Sequence, residues 1–403
     1  MLHTHTCKNG LRIVLEDMPA VRSVTIGIWV YTGSRSESDF NNGVSHFLEH
    51  MFFKGTEKRS AKDIAEAFDA IGGQVNAFTS KEYTCFYAKV MDTHKDYALD
   101  ILSDMFFHST FDKEELEREK KVVLEEIKMS EDTPDDIVHD LLSEASYGKH
   151  PLGFPILGTE NTLRSLSADD LRSYMDQYYG PENVVISVAG NVDETYIKTI
   201  ENRFGTYTTS QTKKSFETPS FLSKHIEKRK ETEQAHLCIG YRGLPVDADK
   251  MYSLIVMNNV FGGSMSSRLF QEIREQRGLA YSVFSYHSSF VDNGLLTIYV
   301  GTSKEHLPVL RETIDVTIQD LMTNGLTDKE LINSKEQLKG NLMLSLESTN
   351  ARMSRNGKNE LILKRHRTLD EMITAINAVN HTSINEVIQL IFDQQSSSAL
   401  VSS

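Results

Sequence analysis

His46, Glu49 and His50 form a His-x-x-Glu-His run whose residue types and spacing could do chemistry. On a helix, residues three and four apart are neighbours, so the two imidazoles can grip one metal ion while Glu49 points at the same site. The order is the inverse of a familiar zinc-peptidase signature. Zinc takes neutral imidazole readily, and a hydrolytic zinc site keeps one position open for a water that a nearby carboxylate deprotonates. The same five residues also fit an amphipathic helix with two satisfied core histidines and a surface glutamate. A third ligand decides between these readings.

The acidic stretch from 112 to 130 is the place to look for that ligand. It reads as a helix with an apolar stripe at Leu116, Val123 and Ile127. Glu125 falls on a charged side with Arg118, Lys121 and Lys128. Glu126 falls instead with Glu119 and Val122, roughly 60° from the stripe at 100° per residue, at the edge of the buried face. Glu126 is therefore the expected third ligand, and Glu119 an auxiliary carboxylate. Two carboxylates seven residues apart on a half-buried face are costly unless something cationic compensates them. For Glu119 an ordinary pairing with a helical lysine stays open.

The elements that must position these residues are written twice. Val24 to Val30 is echoed by His236 to Tyr241, and Phe111-Asp112-Lys113-Glu114-Glu115-Leu116 by Leu326-Thr327-Asp328-Lys329-Glu330-Leu331. Leu171, Tyr174, Met175 and Tyr178 recur as Ile384, Val387, Ile388 and Ile391, an offset of 213 residues from Leu171 to Ile384. Two homologous domains follow, at 1–207 and 225–403, joined by a polar linker over 208–224. Strand runs such as Cys85 to Val90 and Leu295 to Val300 mix with longer helical patterns such as His94 to Phe107. The class is α+β, each domain a mostly antiparallel sheet with helices packed on one face. At the same offset His46, Glu49 and His50 become Asn259, Gly262 and Gly263, and Lys339 to Asn341 offers no acid in place of Glu126. The second half keeps the fold without the metal ligands, so one zinc per chain is expected.

Composition narrows the function classes. The chain has 403 residues with 39% hydrophobic and 25% charged content, enough for a sizeable core. A net charge of -14 argues against nucleic acid and anionic membrane as partners. Cys7, Cys85 and Cys238 are far apart and form no Cys-x-x-Cys pair, which suits a reducing compartment. No signal peptide, transit peptide or membrane span is evident, so a cytoplasmic address is expected. His3 and His5 alternate along a strand-like N-terminus and read as incidental.

The run His46 to Thr56, the segment Gly72-Gly73-Gln74-Val75-Asn76-Ala77-Phe78-Thr79-Ser80 and the Glu119/Glu126 pair resemble the insulinase/pitrilysin zinc metallopeptidases. The chain length is most similar to the mitochondrial processing peptidase-like subgroup and its bacterial relatives. The family's ligand spacing, counted from His50, also reaches Glu126. The resemblance implies a zinc-dependent endopeptidase acting on peptides, with zinc on His46, His50 and Glu126 and Glu49 as general base. It places Asn76, Ala77 and Phe78 along the substrate, on what reads from the residues as an exposed edge strand or an ordinary hairpin. It also makes Arg274 and Tyr281 a pair that holds the substrate carbonyl and the developing oxyanion, contributed by a second subunit. A homodimer with sites completed in trans is thus expected. A surface charge and a strand-opening tyrosine remain the plainer reading of that pair. A non-catalytic partner subunit of the same fold is the alternative function, and the intact ligand set speaks against it. Substrate preference is not legible.

Overall fold

The computed structural model describes residues 1–209 and 216–403. Part of the linker expected over 208–224 therefore lies outside the described residues. The chain divides into two compact units, Met1–Lys128 with Pro155–Phe216 and Ser345–His366, and Met129–Phe154 with Glu217–Leu344 and Arg367–Ser403.

The first unit is built on strands β1 (Leu2–Thr6), β2 (Arg12–Asp17), β3 (Ser23–Val30), β4 (Gln74–Thr79), β5 (Thr84–Met91) and β6 (Val184–Gly190), in the order β1-β2-β6-β3-β5-β4. The second uses β7 (His225–Arg229), β8 (Ala235–Arg242), β9 (Ala280–Ser289), β10 (Gly294–Thr302) and β11 (Ser397–Ser402), in the order β7-β11-β8-β10-β9. Laid over each other at the repeat offset, the two orders coincide except for β1, which has no counterpart in the five-stranded sheet, and each sheet has a single parallel pair, β2 with β6 and β11 with β7. The remaining ladders are antiparallel, in keeping with the α+β expectation.

Strand period explains how each sheet is buried. Along β3, Val24, Ile26, Ile28 and Val30 point into the main core, which also takes up Leu99 and Leu102 of helix Lys95–His108 and Ile200 and Phe204 of helix Tyr196–Phe204. Trp29 points the other way, into a second cluster with Val14, Cys85, Val185 and Met353. Helices thus cover one face as expected, but, contrary to the one-face expectation, a further helix covers the opposite face. That helix, Thr349–Lys358, comes from the second half of the sequence. Its approach is close: a Cβ on Gly27 would lie 2.3 Å from Met353 Sδ, and one on Gly357 2.3 Å from Trp29 Nε1. Ser187 donates to the Met353 carbonyl at 2.7 Å, and the hydroxyls of Thr25 and Thr349 are 2.9 Å apart. In the second unit the equivalent layer is helix Pro134–Tyr147, from the first half, packing Val138 and Leu142 on Cys238, Ala399 and Val401.

The compact units therefore depart from the division at 207 and 225. Each sequence half gives one helix to the other unit's sheet, because the outer face of either sheet is apolar and has to be covered. Local periodicity shows that these helices are amphipathic but not which sheet they cover.

Candidate active site

The helix Val44–Met51 sets its register with Val44, Phe47, Leu48 and Met51, all fully buried in the main core. That anchoring turns His46, Glu49 and His50 to the opposite edge, where they face helix Lys113–Asp132 and strand β4. The helix starts from Gly43, which sits at φ +95°. Its first amides are satisfied by a buried acid: Glu37 accepts from Gly43 N at 2.8 Å, Ser45 N at 2.9 Å and Asn42 Nδ2 at 2.8 Å. A carboxylate at a helix N-terminus is favoured by orphan amides and dipole alike. Burial pushes the Glu37 carboxyl up, and these donors pull it back down.

The structure brings the three expected ligands together. His46 Nε2 and His50 Nε2 lie 3.7 and 3.5 Å from Glu126 Oε2, and the two rings are 4.6 Å apart. A tetrahedral ion bonded at about 2.0–2.1 Å spaces its ligands at about 3.4 Å, so small side-chain shifts suffice. His46 is almost fully buried, and burial first, then His50, lowers its imidazole to about 3. That keeps it neutral, the form that binds metal. His50 is handled from behind. Its Nδ1 lies 2.8 Å from Glu119 Oε1, which leaves Nε2 turned to Glu126. Burial would lower the His50 pKa, but Glu119, Glu126 and Glu49 outweigh it and raise it. Glu119 is itself buried, and Lys54 Nζ sits 2.6 Å from its Oε2. Burial alone would raise Glu119, yet His50 and Lys54 hold it below the usual carboxylate range. The donor set of two imidazoles and a carboxylate, with a carboxylate behind one imidazole, fits zinc.

Glu125 pairs with Lys128 at 2.7 Å on the outer face, as its phase requires. Glu49 is half-buried, and its desolvation raises the carboxyl above the ordinary range. Thr79 Oγ1 donates to Glu49 Oε2 at 2.6 Å. Thr79 closes β4, whose one partner strand is β5, so its other edge is unpaired within the sheet. Of the expected substrate residues, Asn76 is exposed beside the site and Ala77 is half-buried on β4. Phe78 departs from expectation. Its ring packs edge-on against Trp29, at 5.6 Å between centroids, and against Tyr83 and Tyr87. Strand alternation turns it to the far face of the sheet, so it can meet a substrate only through its backbone. A cavity of about 450 Å³ adjoins Glu49 and His50, with Phe53, Ala61, Ile64 and Val75 among its walls.

In the second unit Arg274 and Tyr281 do form a pair. The guanidinium lies 4.6 Å from the Tyr281 ring centroid and 4.8 Å from that of Phe270. Arg274 rides on the π-helical turn Phe270–Glu275, and Tyr281, 77% exposed, is the second residue of edge strand β9. Gly278, at φ +59°, ends the turn between them. Sequence reasoning missed Glu37, Lys54 and Thr79. Lys54 and Thr79 lie inside the runs that carried the resemblance, whereas Glu37 stands seven residues before the helix, too far for a local capping pattern.

Residues 12–160 match the model described as Insulinase (Peptidase family M16), and residues 165–338 match Peptidase M16 inactive domain. The uncharacterized zinc protease YmxG of Bacillus subtilis is 61% identical over 402 residues, covering 100% of this chain and 98% of its own. The chain belongs to the insulinase family, peptidase family M16. An uncharacterized zinc protease of Rickettsia felis is 38% identical, covering 98% of this chain and 96% of its own. Among solved structures, a protease from Helicobacter pylori superimposes with a TM-score of 0.92 at 21% identity, covering 100% of this chain and 99% of its own. A peptidase M16 inactive domain from Pseudomonas fluorescens gives 0.93 at 18%, covering 100% and 98%. The last two likenesses concern the fold. No helix among the described residues is long and apolar enough to cross a membrane.

Proposed function

We propose that this chain is a zinc-dependent endopeptidase that cleaves peptides and unstructured protein segments. The observation that carries this reading is the convergence of His46, His50 and Glu126 beside a half-buried Glu49, next to the open edge of β4. One zinc per chain, held by those three side chains, would supply Lewis acidity toward a water and the scissile carbonyl.

The chain's own residues do the rest. An extended peptide adds to the β4 edge by backbone hydrogen bonds, with Asn76 and Ala77 alongside it. The adjoining cavity takes an apolar side chain, and Phe53, Ile64 and Val75 give it that character. Glu49 receives the proton of the attacking water and later returns it to the leaving amine. Desolvation raises its carboxyl above the ordinary carboxylate range, which makes it the stronger proton acceptor. Thr79 occupies Oε2, so proton exchange falls to Oε1. Glu119 and Lys54 fix the His50 ring. Arg274 holds the substrate carbonyl, and the Tyr281 phenol donates to the oxyanion.

We assign that last pair to the site of a second copy of this chain, in a homodimer of the mitochondrial processing peptidase-like kind acting in the cytoplasm. Nucleic acid and membrane are not among the proposed partners. Mixing inactive Glu49→Gln and Arg274→Ala chains tests both parts of the assignment. Recovered cleavage of an unstructured peptide library is the expected result, since one composite site then has both functions intact. No recovery, with both variants folded and zinc-loaded, contradicts completion in trans.

A further inference from the structure

Among the described residues, two groups bring three metal-ligating atoms within 4.8 Å of one another. One is His46, His50 and Glu126. The other is His5, Cys7 and Glu201, which has no part in the proposed hydrolysis.

His3 and His5 read as incidental in sequence and Cys7 only as one of three separate cysteines, but strand geometry puts the three on one face. His3 and His5 stand opposite Leu15 and Ile13 of β2, both core residues, so the alternation turns His3, His5 and then Cys7 inward. The face they meet is helix Tyr196–Phe204. His5 Nε2 lies 3.2 Å from Glu201 Oε1, while Lys198 takes the other carboxylate oxygen at 2.9 Å. His3 Nδ1 lies 3.5 Å from Glu194, two residues before that helix begins. Cys7 is buried at 4% exposure and free of any disulfide.

The backbone holds this group in place. Cys7 N donates to Leu11 O at 2.8 Å, and Gly10 N donates to Cys7 O at 3.0 Å across a turn in which Gly10 sits at φ +93°. Asn9 Nδ2, in that same turn, donates to Phe204 O at 2.8 Å and Tyr207 O at 3.1 Å. The turn after the cysteine is thereby tied to the end of the helix that bears Glu201. A donor set fixed by its surroundings, rather than by a flexible loop, is what a preorganised metal site requires.

We propose that His5, Cys7 and Glu201 form a second divalent-metal site, structural in role, that clips edge strand β1 to helix Tyr196–Phe204. Thiolate, imidazole and carboxylate together select zinc over magnesium or calcium. His5, with 37% of its side chain exposed, leaves room for water as a fourth ligand. The clip also protects an edge strand that otherwise has a single neighbour.

Cobalt(II) substitution tests this directly, because a thiolate ligand gives a near-ultraviolet charge-transfer band that the nitrogen and oxygen donors of the first site cannot give. The experiment uses the full chain carrying His46→Ala, so that the first site is disabled, with circular dichroism checking the fold. Cobalt titration is expected to give the thiolate band at one equivalent. The band should vanish in Cys7→Ser, and binding should weaken at least about tenfold in His5→Ala and in Glu201→Gln. Zinc should raise the melting temperature of the His46→Ala chain and leave that of its Cys7→Ser derivative unmoved. Absence of the band overturns the proposal, as does a band that survives Cys7→Ser. A band indifferent to both His5→Ala and Glu201→Gln overturns it too, since the ligand would then be a lone thiol. Because the first site is disabled throughout, the result stands apart from that of the hydrolytic reading.

Discussion

Helix Val44–Met51 in the first unit and helix Met251–Phe261 in the second occupy equivalent places in a repeated fold, yet each joins its neighbouring long helix by different chemistry. In the first, carboxylates of helix Lys113–Asp132 reach the imidazoles, Glu119 to His50 and Glu126 to both rings. In the second, Asn259 stands at the place of His46, and its Nδ2 donates to Ser334 at 3.0 Å and Gln337 at 2.9 Å on helix Asp328–Ser345. Gly262 and Gly263 stand where Glu49 and His50 would be. A Cβ on Gly262 would come within 2.4 Å of Ser285 Oγ, so strand β9 occupies the space that a metal and its ligands would need. Lys339, at the place of Glu126, pairs with Glu336. The helix junction has to be polar in both units. The first satisfies it with acids and imidazoles that leave donor atoms convergent, and the second with a closed amide-to-side-chain contact.

That contrast can be broken most severely at Glu126. Glu126→Ala removes the third donor, and cleavage is expected to fall about 10³-fold or more together with bound zinc, read by metal analysis and peptide assay. Arg274→Ala and Tyr281→Phe should each lower kcat by about 10²–10³-fold while zinc content stays at the parent level. Glu119→Gln is expected to weaken zinc about 10–100-fold by equilibrium dialysis, because His50 loses its orienting acceptor. Thr79→Val should lower kcat about tenfold with KM unchanged, and Thr79→Ser should restore it, since a hydrogen bond to a charged group amounts to about 1.5–3 kcal/mol. Asn259→Ala sharpens the comparison from the other side. It should cost about 1–2 kcal/mol in denaturant unfolding and leave zinc and turnover unchanged.

Much of the candidate site was legible because it depends on short-range geometry. A turn of helix fixes His46, Glu49 and His50 on one edge, and helical phase separates Glu126 from Glu125. The strand alternation that correctly marks β4 also places Phe78 on the far face. The outward side of a half-buried sheet becomes known only when its cover, here the helix Thr349–Lys358, is known. The exchange of helices between units was not legible for the same reason. A periodic pattern gives a helix its apolar stripe but not its partner. Glu37 escaped notice because its bonds to Gly43 and Ser45 depend on the path of an irregular loop. His5 and Cys7 were passed over because Glu201, their third companion, lies nearly two hundred residues away in sequence.

The most direct test of the central claim is one measurement on one substitution, Glu49→Gln, with bound zinc and cleavage of an unstructured peptide read from the same preparation. Glutamine keeps the shape and the Thr79 contact but cannot take a proton. The expected result is zinc content equal to that of the parent chain and turnover lower by about 10²–10⁴-fold. Cleavage at the parental rate with zinc still bound would contradict the assignment of Glu49 as the base and of this site as the place of hydrolysis.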